Sequence, residues 1–563
     1  MKKVFLRKRW HKVVCAAALT LAVGTLAACG GGSGSSGSAP ALAESKTTEG
    51  AASASASGPK ELTFVISSDV GDLSPFGGDS GGRHHTYRMM YDCLCASKGL
   101  GQSVEDLQGQ MAKTVTVADP VTVDVELYDY IHDSLGNEIK ASDVVFSYET
   151  ALASGTMEKL KGYLESITAT GDYSVQIKLS SSSKGAMEWC LDTVPIISQA
   201  WYEAASDADK TSNPATTGAY KLVETVASSH TTLAKDENYW QTDESLRSYY
   251  DAQPFDTITI NVITESAMRV IALENGEADL VHNMPANEIS IFMNEDGTSA
   301  PGWNVYPDEN GRMYILMFNN DNSVFADNQT LRQAVLYGID FEAVRQGYGN
   351  TPDNGSVCAD FSPDIASDFN QEWKNEDYYN YNFDKAKELM AEAGYPDGGF
   401  TVRLMYQNST AATSGLTVVQ DYLSKLGITV ELTPYDQALF NSYKYDDTKW
   451  DIIVDSKSTS DYVTSVWQNV FDTNAFQNGS ACFTHDEKLQ TLLETASDVS
   501  TTSKEALDEF HDYLKDQAYG VGMFWNYAYY VGQDGITKIE QDGFGNVTPN
   551  TVEISADYKS VVK

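Results

Sequence analysis

Between Gly30 and Gly58 the chain is almost wholly Gly, Ser and Ala, with no aromatic residue and few charges. A stretch of that composition has too little apolar surface to offset the entropy of ordering it, so residues 29–59 are expected to form a flexible tether. The tether divides the 563-residue chain into two very unequal parts. Ahead of it, residues 1–28 read as a secretory leader. Basic residues (Lys2, Lys3, Arg7, Lys8, Arg9, Lys12) lead into an apolar run from Val13 to Ala28, which closes on Leu26-Ala27-Ala28 before Cys29. At about 1.5 Å per residue that run spans roughly 24 Å, short of the ~30 Å hydrocarbon core, which favours cleavage over a permanent anchor. Cys29 would then be the acylated first residue of a lipoprotein. Since one acyl chain anchors only marginally, more than one is expected to hold it to the outer face of the cytoplasmic membrane.

The remainder, from about Lys60, is too long for one hydrophobic core, so two or more lobes are expected. Strand-like and helix-like segments alternate along it, the mark of mixed α/β lobes. Leu62–Ile66 and Ile258–Ile263 read as strands. Helices are expected over 265–275, 331–339, 384–393 and 418–426, with Gly276, Gly394 and Gly427 ending three of them. Ser142-Asp143 reads as an N-cap ahead of Val144, and Ile428–Leu432 as the strand that follows Gly427.

Acidic residues number 79 against 39 basic, for a net charge of −40. Such a surface repels nucleic acid and anionic lipid, and steers cationic or zwitterionic ligands. Seven cysteines less Cys15 and Cys29 leave five, an odd number, in spacings that match no zinc site. A Cys358–Cys482 bridge is expected, with Cys190 joined to Cys93 or Cys95. Gly78-Asp79-Ser80-Gly81-Gly82 spells the sequence around a chymotrypsin-type nucleophile, but that family's His and Asp precede the serine. No His lies between Cys29 and Ser80, and no nucleophile, base and orienting group can be assembled. A hydrolase is therefore disfavoured. The tight pair His84-His85 is a poor chelate if extended, because adjacent strand residues face opposite ways. No H-E-x-x-H or calcium loop occurs, and no cofactor is expected.

Several segments stand in a familiar order. Gly136–Ser147 resembles the "G-x-x-x-x-A-x-D-V-x-F-S" element of the extracellular solute-binding proteins of the oligopeptide/dipeptide/nickel transporter class, family 5. Pro214–Tyr220 with Asn238-Tyr239-Trp240 resembles its "P-x-G-T-G-P-Y … N-x-x-Y-W" pair, although Thr216 and Ala219 replace a Gly and a Pro. Gly276–Asp279, then Asn319, Phe325-Ala326-Asp327 and Leu331–Asp340, and later Ala386–Tyr395 and Leu426–Ile428, match further elements in order. The resemblance implies a two-lobed, periplasmic-binding-protein-like α/β fold of the large cluster C type. Lobe I would comprise 60–305, with an extra subdomain at about 80–210, and lobe II would comprise 306–523. Residues 524–563 would return to lobe I.

The same resemblance implies a monomeric binding component of an ABC importer. It would close on oligopeptides and pass them to membrane permease subunits, with a nickel chelate or a sugar as the alternative cargo. Asp461, with Tyr462, falls near the position where peptide binders of this class hold the ligand's α-ammonium group. Trp467 would form a pocket wall, Asn319 would bond the ligand backbone, and Trp525, Asn526 and Tyr527 would supply aromatic and amide contacts. His84 would touch the ligand or its loop, and a metal there is the lesser alternative. At Tyr406–Ser409, where dipeptide binders carry an Arg for the ligand carboxylate, there is none, which argues against a short-peptide specialist.

Overall fold

A computed structural model describes residues 60–562 apart from 79–80, 99–100, 309–310, 352, 459–461, 474–482 and 543–545. The leader, the tether, Cys29, Asp461 and Cys482 lie outside the described residues, as does Ser80. The strand Glu61–Ile66 sits at the centre of a seven-stranded sheet, parallel to Thr257–Val262 on one side and Leu280–Met284 on the other. A strand covered on both faces reads as a continuous apolar run, and Leu62 to Ile66 are all buried. His230–Lys235 and Tyr220–Val226 extend the sheet one way, Tyr529–Gln533 and Trp303–Pro307 the other.

Within the segment expected to hold the extra subdomain, four strands form a separate antiparallel sheet in the order Ala112–Asp119, Thr122–Leu127, Ser174–Leu179, Leu164–Gly171. Its inner strands alternate buried and exposed residues, as a sheet covered on one face must. The helix Ala141–Ser154 buries Val144, Tyr148 and Ala151 in the same core.

A second sheet has six strands in the order Gly355–Val357, Gly520–Asn526, Arg312–Phe318, Ile452–Ser458, Phe400–Gln407, Ile428–Tyr435. The chain therefore passes between the two sheets after Pro307 and again after Asn526. Gly520–Asn526 still belongs to the second sheet, so the return begins a little beyond the expected residue 524. The crossings run side by side, since the Asp308 N–H donates to the Ala528 carbonyl at 2.9 Å. Paired crossings of this kind make a natural hinge.

Local structure departs from the sequence reading in two places. The helix expected to start near Ser142 is capped at Lys140, whose N–H is held at 2.9 Å by the Asp143 carboxylate reaching back. The helix expected over 418–426 spans Thr410–Lys425, with Ser409 as its cap. Thr, Ser and Gly weaken its first turns intrinsically, but Gly415 lets the Tyr348 ring lie against the backbone. A Cβ there would come within 2.0 Å of that ring.

The described cysteines, Cys93, Cys95, Cys190 and Cys358, are buried free thiols, so Cys190 is joined to neither Cys93 nor Cys95. Cys358 is likewise free, and its expected partner Cys482 is not described. Burial pushes the Cys93 thiol up to about 12 despite the neighbouring Arg88, and raises the other three as well. A thiol kept protonated by apolar packing is not the thiolate that disulfide formation requires. No helix among the described residues is long and apolar enough to cross a membrane.

Candidate functional site

A cavity of about 1750 Å³ lies between the two lobes, beside the crossings. Its first-lobe wall is formed where strands end: Ser67, Ser68 and Asp69 follow Glu61–Ile66, and Pro285 to Glu288 follow Leu280–Met284. Carboxyl ends of parallel strands are where open α/β sheets place their ligands. Gly185, Glu188 and Trp189 of the subdomain close one side. The second-lobe wall is built from Arg312 and Tyr314, the turn Gly347–Asn350, Asn354, the helix start at Thr410, Lys457, Tyr462 and Asn526.

Charged groups on the first wall are committed to the protein. Arg83 donates to the carbonyls of Asp72, Ser74 and Pro75, which pins the Gly-rich loop after Pro75. His85 is buried. Its Nδ1 lies 2.7 Å from the Val547 carbonyl, which can only accept, so Nδ1 carries the proton. Burial, and then the neighbouring His282, holds the His85 pKa well below the usual 6.5. The His282 Nε2 is 2.9 Å from Asp308 at the crossing, and its ring stacks on Tyr530 at 4.5 Å. Asp192 pairs with Arg88 at 2.9 Å. Burial pushes its carboxyl up to about 6, against the opposing pull of Arg88 and Ser97.

Of the residues proposed from sequence, His84, Tyr462, Asn526 and Tyr527 line the cavity. Asn526 donates its amide to the Asn350 side chain at 2.6 Å, and the Tyr527 hydroxyl donates to the Asp353 carbonyl at 2.5 Å. The Lys184 ammonium lies over the Tyr462 ring, 4.3 Å from its centre.

Three others do not line it. Trp467 is fully buried in the second lobe, stacked on Phe510 at 4.3 Å with its indole N–H donated to Asp360. The Asn319 amide donates to the carbonyls of Asp447 and Trp450, and its oxygen accepts from the N–H groups of Asp321 and Asn322. That amide is consumed in shaping a turn. Trp525 packs into the same core as Trp467. Sequence reasoning missed Arg312, Lys457, Lys184, His282 and Asp308. The available signal was a charge at the mouth of an otherwise apolar strand, as in Arg312-Met313-Tyr314-Ile315-Leu316.

Among the described residues, Glu376, His511 and Asp512 form the group whose spacing could hold a metal, and none of them lines the cavity. The Lys515 ammonium already occupies that place, bonded to Glu376 and 3.3 Å from Asp512. Inside the cavity, His85 and His282 are engaged as described.

Residues 106–478 match the family model described as bacterial extracellular solute-binding proteins, family 5 middle. The chain belongs to this family. It is 24% identical to the nickel-binding protein NikA of Staphylococcus aureus over 63% of its length and 66%, just under two thirds, of that protein. It is 23% identical to the oligopeptide-binding protein AppA of Bacillus subtilis over 84% of its own length and 88% of that one. Among solved structures, the periplasmic binding protein DppA of Helicobacter pylori in complex with the peptide STSA superposes with a TM-score of 0.70. That match covers 88% of this chain and 98% of DppA at 18% identity. The family 5 chain thus has the two-lobed fold of solute-binding proteins.

Proposed function

We propose that this family 5 protein is the lipid-anchored, extracytoplasmic binding component of an ABC importer, and that its cargo is oligopeptides. Cavity size carries the choice of cargo. About 1750 Å³ exceeds the roughly 300–1,000 Å³ of ordinary small-molecule pockets and suits a chain of several residues. The wall chemistry is consistent with this. The hydroxyls of Thr410 and Ser465 and the amide oxygen of Asn526 can meet peptide backbone groups, while Tyr314, Tyr348 and Tyr527 offer broad, tolerant contact area. Ligand would bind one lobe, the paired crossings would flex, and the closed form would be presented to permease subunits. The anchor rests on Leu26-Ala27-Ala28-Cys29, and a monomer is the expected state.

Native mass spectrometry of the full chain, purified in detergent without denaturation, tests this reading. Heterogeneous adducts of peptide mass, released by mild unfolding, are expected. A single adduct of metal-chelate or sugar mass would replace the cargo, and a Cys29→Ala chain that still carries lipid would remove the anchor.

A further inference from the structure

The two walls of the cavity differ in charge. In a chain with twice as many acidic as basic residues, a wall taken at random should be negative. Yet all five acidic side chains among the described lining residues, Asp69, Glu188, Asp192, Glu288 and Asp308, lie on the first lobe or at the crossing. Among the described residues, the second-lobe lining contains Arg312 and Lys457 and no carboxylate.

Arg312 is exposed, and its guanidinium makes no hydrogen bond or ion pair among the described residues. It stands opposite Asn526 and Ser458 in the sheet, next to the Asn526–Asn350 amide pair. Lys457 opposes Met313 and so leaves the other face of the sheet at the same edge. Its ammonium is 3.0 Å from Asp455, and the same carboxylate lies 3.8 Å from Lys444. One carboxylate between two ammonium groups, plus Arg312, leaves this edge with surplus positive charge. A cation kept unpaired in a cavity wall costs nothing to folding and is available to an incoming anion.

We infer that Arg312 seats an anionic group of the ligand, supplied by the α-carboxylate of the bound peptide, with the Lys457 edge adding its field. This step rests on the peptide reading above. It orients a zwitterionic ligand with its carboxylate toward the second lobe.

The test uses two random oligopeptide libraries, identical except that one ends in a free carboxylate and the other in an amide. Each is titrated against the full chain and its Arg312→Gln and Arg312→Lys variants by calorimetry. Wild type should bind the free acids about 10- to 100-fold more tightly, the range of one charge-assisted hydrogen-bonded pair. Arg312→Gln should abolish that preference without weakening the amides, and Arg312→Lys should retain part of it. Because Arg312 is unpartnered, the urea midpoint of Arg312→Gln should match wild type, which separates lost binding from lost folding. Equal affinity for acid and amide, or a preference that survives Arg312→Gln, overturns the inference and leaves the peptide reading intact. If neither library binds but a co-purified small organic acid does, and loses affinity in Arg312→Gln, the anion seat stands and the peptide reading falls. An uncharged co-purified ligand, or no binding by either library or any co-purified acid, removes the anion seat.

Discussion

The two walls of the interlobe cavity both carry charged side chains, but in opposite states of commitment. On the first wall Arg83 spends its donors on three carbonyls, and Asp192 lies between Arg88 and the Ser97 hydroxyl, both within 2.9 Å. On the second wall Arg312 lines the cavity with no partner among the described residues. A buried charge must be paired or it destabilises the fold, so first-wall charge is architecture. An exposed, unpaired charge adds nothing to folding and is free to bind.

Arg88→Met breaks that comparison most directly. Arg88 and Asp192 are each 2% exposed, so removing the guanidinium leaves a buried carboxylate without its counter-ion. A loss of about 3–5 kcal/mol is expected in urea unfolding, against less than about 0.5 kcal/mol for Arg312→Gln. Equal costs for the two variants would mean that Arg312 is also structural.

Acid sharpens the comparison next. His85 is held neutral in the folded lobe by burial and by His282, with its pKa well below 6.5. The unfolded chain takes up a proton near 6.5 that the folded lobe refuses. The stability this contributes is complete above that pH and is lost as pH falls below it, by up to about 1.4 kcal/mol per pH unit. Wild type should therefore weaken from pH 6.5 to 5, and His85→Gln should show a shallower slope over that window. Parallel slopes would show that His85 protonates in place, as a binding-wall group would.

How far the sequence was legible follows the same divide. Helix ends marked by Gly276, Gly394 and Gly427 stand where expected, because each glycine adopts a left-handed φ (69°, 94° and 76°) that side-chain-bearing residues resist. The motifs that carry the family resemblance proved to be internal braces. Tyr239 and Trp240 both donate to the buried Asp92, and Asp279 accepts from the N–H groups of Thr63 and Val561. Such bonds specify a fold, so they expose the architecture and say little about cargo. Trp467 could have been assigned to the core, since Val463, Val466, Trp467, Val470 and Phe471 repeat at the spacing of one helix face, and all are buried. Asn319 offered no such pattern. Whether an amide turns inward to shape a turn or outward to meet a ligand depends on carbonyls at Asp447 and Trp450, more than a hundred residues away. Arg83, Arg88 and Arg312 are alike as letters, and only their partners separate them.

Lys184 lies between the two states and gives the smallest effect. It belongs to the first-lobe side, yet its ammonium is 2.7 Å from Asp368 of the second, above the Tyr462 ring. Asp368 also accepts the Val463 N–H at 2.8 Å. Both partners of the ion pair are partly exposed, and main-chain bonds from Lys184 to Ser497 and from Val499 to Ser182 would survive its loss. Lys184→Ala should therefore cost no more than about 1 kcal/mol in unfolding. Its distinctive readout is the opening equilibrium, because the pair exists only while the lobes meet. The ligand-free variant should show a larger radius of gyration in solution scattering than wild type, and the difference should shrink as salt screens the wild-type pair. An unchanged radius at low salt would mean that the main-chain bonds alone hold this edge. A folding cost matching Arg88→Met would instead place Lys184 with the structural charges of the first wall.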